Sequence, residues 1–279
     1  MKLLRHTLSA LLLSLCMLSS CTTPAPTDVK VISYNIRLSK GGDGDNSWKY
    51  RKHASINMIR HEQPTLVGLQ EMLPDQLAYL RDSLPEYEVI GVGRDNGSDK
   101  GEYMAIFYRK DEVELLKWGT FWLSESPDVP SLGWDASYKR TCTWATFRSR
   151  TTGTCFAHLN THLDHEGVVA QREGLRLVVD KMKELLPRRM PVFVTGDFNI
   201  PTDNEAFKML DGVLLDARKT APQSDHRATY NGWGRREATI DHIFFRGAEP
   251  HAFAVLCDVD YGAPYISDHY PVSLTATIK

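Results

Sequence analysis

Short apolar runs bounded by Gly, Pro, Asn and Asp recur along the chain, and most of them have strand length. They predict strands at residues 29–38, 65–71, 88–93, 102–109, 141–148, 154–163, 191–199, 239–245, 252–259 and 272–278. Helical spacing predicts helices at 50–63, stopped by Pro64, and at 74–84, with Leu77, Leu80 and Leu84 on one face. A third helix, at 168–186, carries the stripe Leu175, Val178, Met182 and Leu185. Asp203 is placed to cap a short helix at 203–210. The tract 118–144 holds Trp118, Trp122, Trp134 and Trp144 with Pro127, Pro130 and Gly133 among them, so part of it is a long loop. Strands outnumber helices, and neighbouring strands often lack a crossover helix. That pattern favours stacked mixed sheets flanked by helices over a doubly wound parallel sheet.

The first 20 residues have a different character. Lys2 and Arg5 precede an apolar run at 8–18, the pattern of a secretory signal, too short for a spanning helix. Leu18-Ser19-Ser20-Cys21 has the small residues before a cysteine that favour lipidation at Cys21 over a conventional cleavage site. Residues 21–28 then form a tether, and one domain runs from 29 to 279. The expected location is the cell envelope, with the protein held on a membrane surface by acyl chains.

Composition changes the picture little. The chain has 279 residues, 42% hydrophobic and 24% charged, with a formal net charge of -2. No Lys/Arg run offers a track for a nucleic-acid backbone. Three cysteines remain in the body: Cys142, Cys155 and Cys257. Cys142 and Cys155 are able to face one another across a hairpin, but an odd count without a spacing pattern favours free thiols. No feature calls for a protein partner.

Polar groups collect at strand ends. In Thr195-Gly196-Asp197-Phe198-Asn199, Asp197 and Asn199 leave a buried strand two residues apart, on one face. Alone, that stretch reads equally well as an Asx turn. Asn35, Glu71, His162 and the pair Asp268/His269 end or precede other strands. His158, Asn160 and His162 share one face, which points toward a polar site; for His158 a satisfied structural role is as good a reading. Asp241 sits inside an apolar strand, where it is costly unless paired.

Six segments in order, Ser33-Tyr34-Asn35, Gly68-Leu69-Gln70-Glu71, Asn160-Thr161-His162-Leu163, Thr195-Gly196-Asp197-Phe198-Asn199, Ile240-Asp241-His242-Ile243 and Ser267-Asp268-His269, resemble the endonuclease/exonuclease/phosphatase superfamily. The resemblance implies a four-layer sandwich of two mixed β-sheets with helices outside, and a phosphoesterase dependent on Mg²⁺ or Mn²⁺. It implies that Glu71 is the principal metal ligand, with Asn35 and Asp268 helping. Asp197 would orient or deprotonate water, and Asn199 would hydrogen-bond a phosphoryl oxygen. His269 would act at the scissile phosphate with Asp241 orienting it, and His162 would contact phosphate with Glu102 as its carboxylate partner. Both imidazoles would then be cationic. Arg37, Arg140 and His165 are candidate substrate contacts; Arg235 and Arg236 read better as surface charges, and Trp122 and Trp134 as core or lid anchors. The near-neutral charge favours a small phosphate mono- or diester, such as a lipid head group, sugar phosphate or inositol phosphate, over nucleic acid. A secreted nuclease and a catalytically silent binding lipoprotein are the competing expectations.

Overall fold

A computed structural model describes residues 25–278. The signal segment and Cys21 lie outside the described residues. Thirteen strands form two sheets. The first contains β1 (Thr27–Asn35), β2 (Leu66–Met72), β3 (Tyr87–Ile90) and β4 (Tyr103–Arg109), with β10 (Gln223–Ser224), β12 (Ala248–Val255) and β13 (Val272–Ile278). Its order is β10-β12-β13-β1-β2-β4-β3. The second contains β5 (Val113–Trp122), β6 (Thr141–Ser149), β7 (Cys155–His162), β8 (Val192–Asp197), β9 (Leu215–Asp216) and β11 (Asp241–Arg246), in the order β5-β6-β7-β8-β11-β9. Each sheet has one parallel pair at its heart, β1 with β2 and β7 with β8, flanked by antiparallel neighbours.

The sheets stack face to face. Val31, Leu66, Phe147, Phe156, Phe193, Phe245 and Leu274 fill the space between them. Each buried Phe stabilises the stack by about 1.5–3 kcal/mol. The outer face of the first sheet is covered by α1 (Trp48–Glu62) and α2 (Pro74–Ser83) through Met58, Ile59 and Leu80. The outer face of the second is covered by α3 (Val168–Leu185), whose Leu175, Val178 and Met182 pack on Phe121, Leu159 and Val194. The four-layer arrangement of two mixed sheets flanked by helices is thus the observed fold. A one-turn helix, α4 (Ala217–Thr220), lies between β9 and β10.

Several local expectations differ. The tether ends earlier than Asp28, because Thr27 and Asp28 already pair with Ile278 and Thr277. About a third of the Trp-rich tract is strand: β5 and β6 flank a loop at 123–140. Asn204, not Asp203, caps the turn at Glu205–Leu210, its side chain accepting from the Ala206 amide. Cys142 sits opposite Thr161 and Cys155 opposite Arg148, so the two thiols do not face one another. All three body cysteines are free.

A polar layer lies between the sheets beside the parallel pairs. Gln70 donates to Asn160 Oδ1 at 2.7 Å, Thr195 donates to the same oxygen at 3.0 Å, and His158 Nε2 meets Thr195 Oγ1 at 2.8 Å. Asn160 in turn donates to the Leu69 and Ala105 carbonyls. His158 is therefore a structural, uncharged histidine, its pKa pushed down to about 3 by burial. Gly68 leaves the room this layer needs: a Cβ there would lie 2.3 Å from Thr195 Oγ1 and 2.5 Å from Asn160 Oδ1. Gly68→Val is expected to destabilise the protein by roughly 1–3 kcal/mol through overpacking. A urea midpoint matching that of the parent would contradict this packing.

Candidate functional site

The strand directions place the site. β1, β2, β7 and β8 run the same way along their pairs and carry Asn35, Glu71, His162 and Asp197 at or next to their last residues. Antiparallel β11 starts at Asp241, directly opposite Asp197, and β13 follows Asp268 and His269. Polar groups from distant segments of the chain therefore meet at one edge of the sandwich. They surround a cavity of about 460 Å³. Glu71, Asp197, Asn199, Asp268 and His269 line it, as do Arg37, Glu102, Arg140, His162 and His165. Asn35 and Asp241 stand behind this wall, bonded to residues within it.

Asp197 is the hub. Asn35 Nδ2 donates to its Oδ2 at 3.0 Å, and the Asn199 amide donates to its Oδ1 at 2.9 Å. The second bond is the Asx turn, with Asn199 held at φ 53°. Turn and site are therefore the same structure. Burial, reinforced by Asp241 and opposed by His269, pushes the Asp197 carboxyl up to about 7. His269 Nδ1 bonds Asp241 Oδ2 at 2.9 Å, and its Nε2 lies 3.7 Å from Asp197 Oδ2. Burial alone would lower this imidazole; the Asp241 and Asp197 carboxylates outweigh it and raise the ring to about 10. His269 is thus a buried imidazolium.

His162 behaves in the opposite way. The expected Glu102 partner is absent: Glu102 instead accepts from Arg94 Nη1 at 2.7 Å. His162 Nε2 accepts from Asn199 Nδ2 at 3.0 Å, and its buried Nδ1 has no partner. Burial, with Arg140 and Arg94 adding to it, drives this imidazole well below its ordinary value, so the ring is neutral. The expectation of two cationic histidines is corrected to one. Asn199 is corrected too. Its Nδ2 donates to His162 and to the Leu163 carbonyl, so both amide hydrogens are engaged within the protein.

The two carboxylates expected to hold a divalent cation come together, and Asn35 braces one of them with its nitrogen while its Oδ1 accepts from the Arg37 amide. Asn35 Nδ2 donates to Glu71 Oε1 at 3.1 Å, and the Leu38 amide to Glu71 Oε2 at 3.2 Å. Glu71 itself sits at φ 60° at the end of β2. The Glu71 and Asp268 carboxylates both approach the Arg37 guanidinium, at 3.8 and 3.7 Å. Burial, with the Glu71 charge adding to it, raises the Asp268 carboxyl. Two carboxylates converging in this way fit a hard cation that takes few protein oxygens. Asp197, Asp241 and His269 also place ligand-type atoms within 4.8 Å of one another, but His269 Nδ1 and Asp241 Oδ2 already bond each other.

The far wall is cationic. Arg140 is buried against Asp164 at 3.4 Å and lies 3.2 Å from His165 Nδ1. His165 stacks on Tyr138, and the Arg94 and Arg140 guanidinium carbons lie 5.4 and 5.9 Å from the Tyr138 ring. The sequence pattern gives no sign of Arg94 or Tyr138 at the site. Arg94 is held from behind by Trp122, whose indole donates to the Arg94 carbonyl at 2.7 Å. Also unforeseen is buried Arg51, which donates to the Ile36, Arg37, Asn46 and Ile266 carbonyls. It ties the exit of β1 to the segment carrying Asp268. Its helical spacing gives no hint of this, since its partners are loop carbonyls. A hollow of about 610 Å³ at the opposite end, near Thr27, Lys30 and Thr275, gathers no comparable set among the described residues.

The endonuclease/exonuclease/phosphatase family model matches residues 32–269, and the chain belongs to that family, whose members hydrolyse phosphate esters. The chain is 38% identical to an endonuclease/exonuclease/phosphatase of known structure from Bacteroides vulgatus, with a TM-score of 0.86 over 91% of this chain and 100% of that one. It is 37% identical to the Bacteroides thetaiotaomicron mannosyl-6-phosphatase, with a TM-score of 0.83 over 89% and 99% of the two chains. The structure of TDP2 from D. rerio with a single-strand DNA product shares the fold at 22% identity and a TM-score of 0.70, over 90% of this chain and 99% of that one.

Proposed function

We propose that this protein is a Mg²⁺- or Mn²⁺-dependent phosphatase that hydrolyses a small sugar phosphate by attack of water on phosphorus. The arrangement of the cavity carries the reading: Glu71 and Asp268 on one wall, Arg94 and Arg140 on the other, and the His269–Asp241 pair between them. Likeness to a mannosyl-6-phosphatase over nearly the full length supports a hexose phosphate as the substrate class.

Glu71 and Asp268, with Asn35 bracing Glu71, would hold the divalent ion, which would supply positive charge for the phosphoryl oxygens. The other steps belong to the side chains. Asp197, fixed by Asn35 and the Asn199 amide, accepts the proton of the attacking water. The His269 imidazolium, held charged by Asp241, faces the phosphoryl group and stabilises the charge that builds there. Arg140 and Arg94 grip the remaining anionic oxygens. Neutral His162, with Asn199 on its Nε2, positions the floor between the two walls. Arg37 bridges Asp43 and the metal-side carboxylates, holding the β1 exit in place.

The test is phosphate release from a panel of esters, including mannose 6-phosphate, a phosphodiester and single-stranded DNA. Preferred turnover of the hexose monoester supports the reading; preferred turnover of DNA replaces it with the nuclease reading. No turnover of any ester would leave the binding-protein reading standing.

We further propose that the mature chain is lipidated at Cys21 and lies in the cell envelope. Pro26 leads directly into the nine-residue β1, whose far end is Asn35. An anchor at Cys21 would tether the chain at the end of β1 opposite the cavity, roughly 25–30 Å along the strand from Asn35. Cys21→Ser is expected to move the protein from the membrane to the soluble fraction. Unchanged membrane association contradicts lipid anchoring.

A further inference from the structure

Beside the catalytic cavity lies a second hollow of about 800 Å³. Tyr230 lines both, so the two are separated by one tyrosine. On the catalytic side, the Tyr230 ring lies 4.9 Å from the His269 ring. On the other side, Arg235, Arg236, Tyr265 and Tyr270 line the hollow. Arg235 and Arg236 are exposed and make no ion pair among the described residues. Arg227, also in its lining, is committed to Asp225 and Asp258.

The segment presenting the two free arginines is rigidly built. Gly232, Trp233 and Gly234 are all left-handed, with φ of 51°, 60° and 77°. Three such residues in succession persist only where the surroundings impose them. Here the Asn231 and Gly232 amides donate to the Asp268 carbonyl, Asn231 Nδ2 donates to the Ser267 carbonyl, and Asn231 Oδ1 accepts from the Trp233 amide. Gly234 packs so closely on Tyr265 that a Cβ would meet its hydroxyl at 2.2 Å. The Trp233 ring rests 5.5 Å from the Arg51 guanidinium carbon, linking the loop to the same arginine that ties β1 to the Asp268 segment. The loop is bolted to the segment that carries Asp268 and His269, and its two exposed arginines line the hollow that shares Tyr230 with the catalytic cavity.

We propose that this second hollow is a leaving-group subsite, which binds a further phosphate on the substrate through Arg235 and Arg236 while the sugar ring lies over Tyr230. The inference rests on the phosphatase reading above and narrows its substrate to esters bearing a second anionic group.

Two substrates and one double variant test it: mannose 6-phosphate, mannose 1,6-bisphosphate, and Arg235→Gln/Arg236→Gln. In the parent, kcat/KM for release of the 6-phosphate is expected to be at least about tenfold higher for the bisphosphate, mostly through KM. In the double variant that preference is expected to vanish, with turnover of mannose 6-phosphate unchanged. An equal preference in both proteins overturns the subsite. Calorimetric titration of mannose 1,6-bisphosphate into both proteins in EDTA reads the site without turnover: about tenfold weaker binding by the variant supports it, and equal affinity overturns it. Failure of the phosphatase reading would show instead as no turnover of either ester.

Discussion

Asp197→Ala is expected to lower kcat for phosphate-ester hydrolysis by about 10³-fold, within the range associated with loss of a positioned general base. The carboxylate is buried, aimed by Asn35 Nδ2 at 3.0 Å and by the Asn199 amide at 2.9 Å. Its carboxyl is raised to about 7 by burial, with Asp241 adding and His269 opposing, which suits it to take and return a proton near neutrality. Alanine also removes the Asx turn that holds Asn199 at φ 53°, and through Asn199 the bond to His162 Nε2. Asp197→Asn separates the two effects. The amide retains an oxygen for the Asn199 backbone bond but is a poor proton acceptor, so its kcat is expected to fall nearly as far; its new NH2 faces Asn35 Nδ2, so the melting midpoint is expected to drop while the Asx turn persists. Activity of Asp197→Asn within about threefold of the parent would remove Asp197 from the proton transfer.

Glu71→Gln is expected to weaken Mn²⁺ binding by on the order of 100-fold, since affinity in oxygen sites follows the charge of the ligand set. Calorimetric titration of the protein with MnCl₂ reads this without reference to catalysis. The substitution is nearly isosteric, and Asn35 Nδ2 at 3.1 Å retains an oxygen to donate to. The fold should therefore persist, with an unchanged circular dichroism spectrum. Arg37 sharpens the expectation. Its guanidinium stands 3.8 Å from Glu71 and 3.7 Å from Asp268, so neutralising Glu71 leaves less negative charge to offset it and weakens the hold on a cation further. Unchanged Mn²⁺ affinity in Glu71→Gln would move the cation elsewhere, and the Asp197, Asp241 and His269 group would be the next place to look.

Much of this site is legible in the sequence because its groups sit at strand ends. Asn35, Glu71 and Asp197 each close a run whose apolar pattern marks a buried strand, and parallel pairing then brings those ends to one edge. Asp241 is legible for a different reason: a carboxylate inside an apolar strand needs a partner, and His269 Nδ1 supplies it at 2.9 Å. What stays hidden depends on contacts between distant loops. The family resemblance pairs Glu102 with His162, but Arg94, eight residues earlier in the chain, claims it at 2.7 Å. Nothing in the local pattern around Arg94 distinguishes it from a surface arginine. The same holds for Tyr138, on the 123–140 loop, and for Arg51, whose partners are all backbone carbonyls. His162 shows how burial decides charge. Its Nε2 lies 3.4 Å from Asp197 Oδ2, yet full desolvation, with Arg140 and Arg94 adding to it, outweighs that carboxylate and leaves the ring neutral. β5 is obscured because its Trp118 and Leu116 are exposed on an edge strand, which breaks the alternation that marks a half-buried strand.

The most direct measurement is phosphate release from mannose 6-phosphate by the purified chain, first with Mg²⁺ or Mn²⁺, then with EDTA, then with the ion restored. Metal-assisted attack of water predicts turnover that EDTA abolishes and either ion returns. Undiminished turnover in EDTA, or release from no phosphate ester with both ions present, would contradict it.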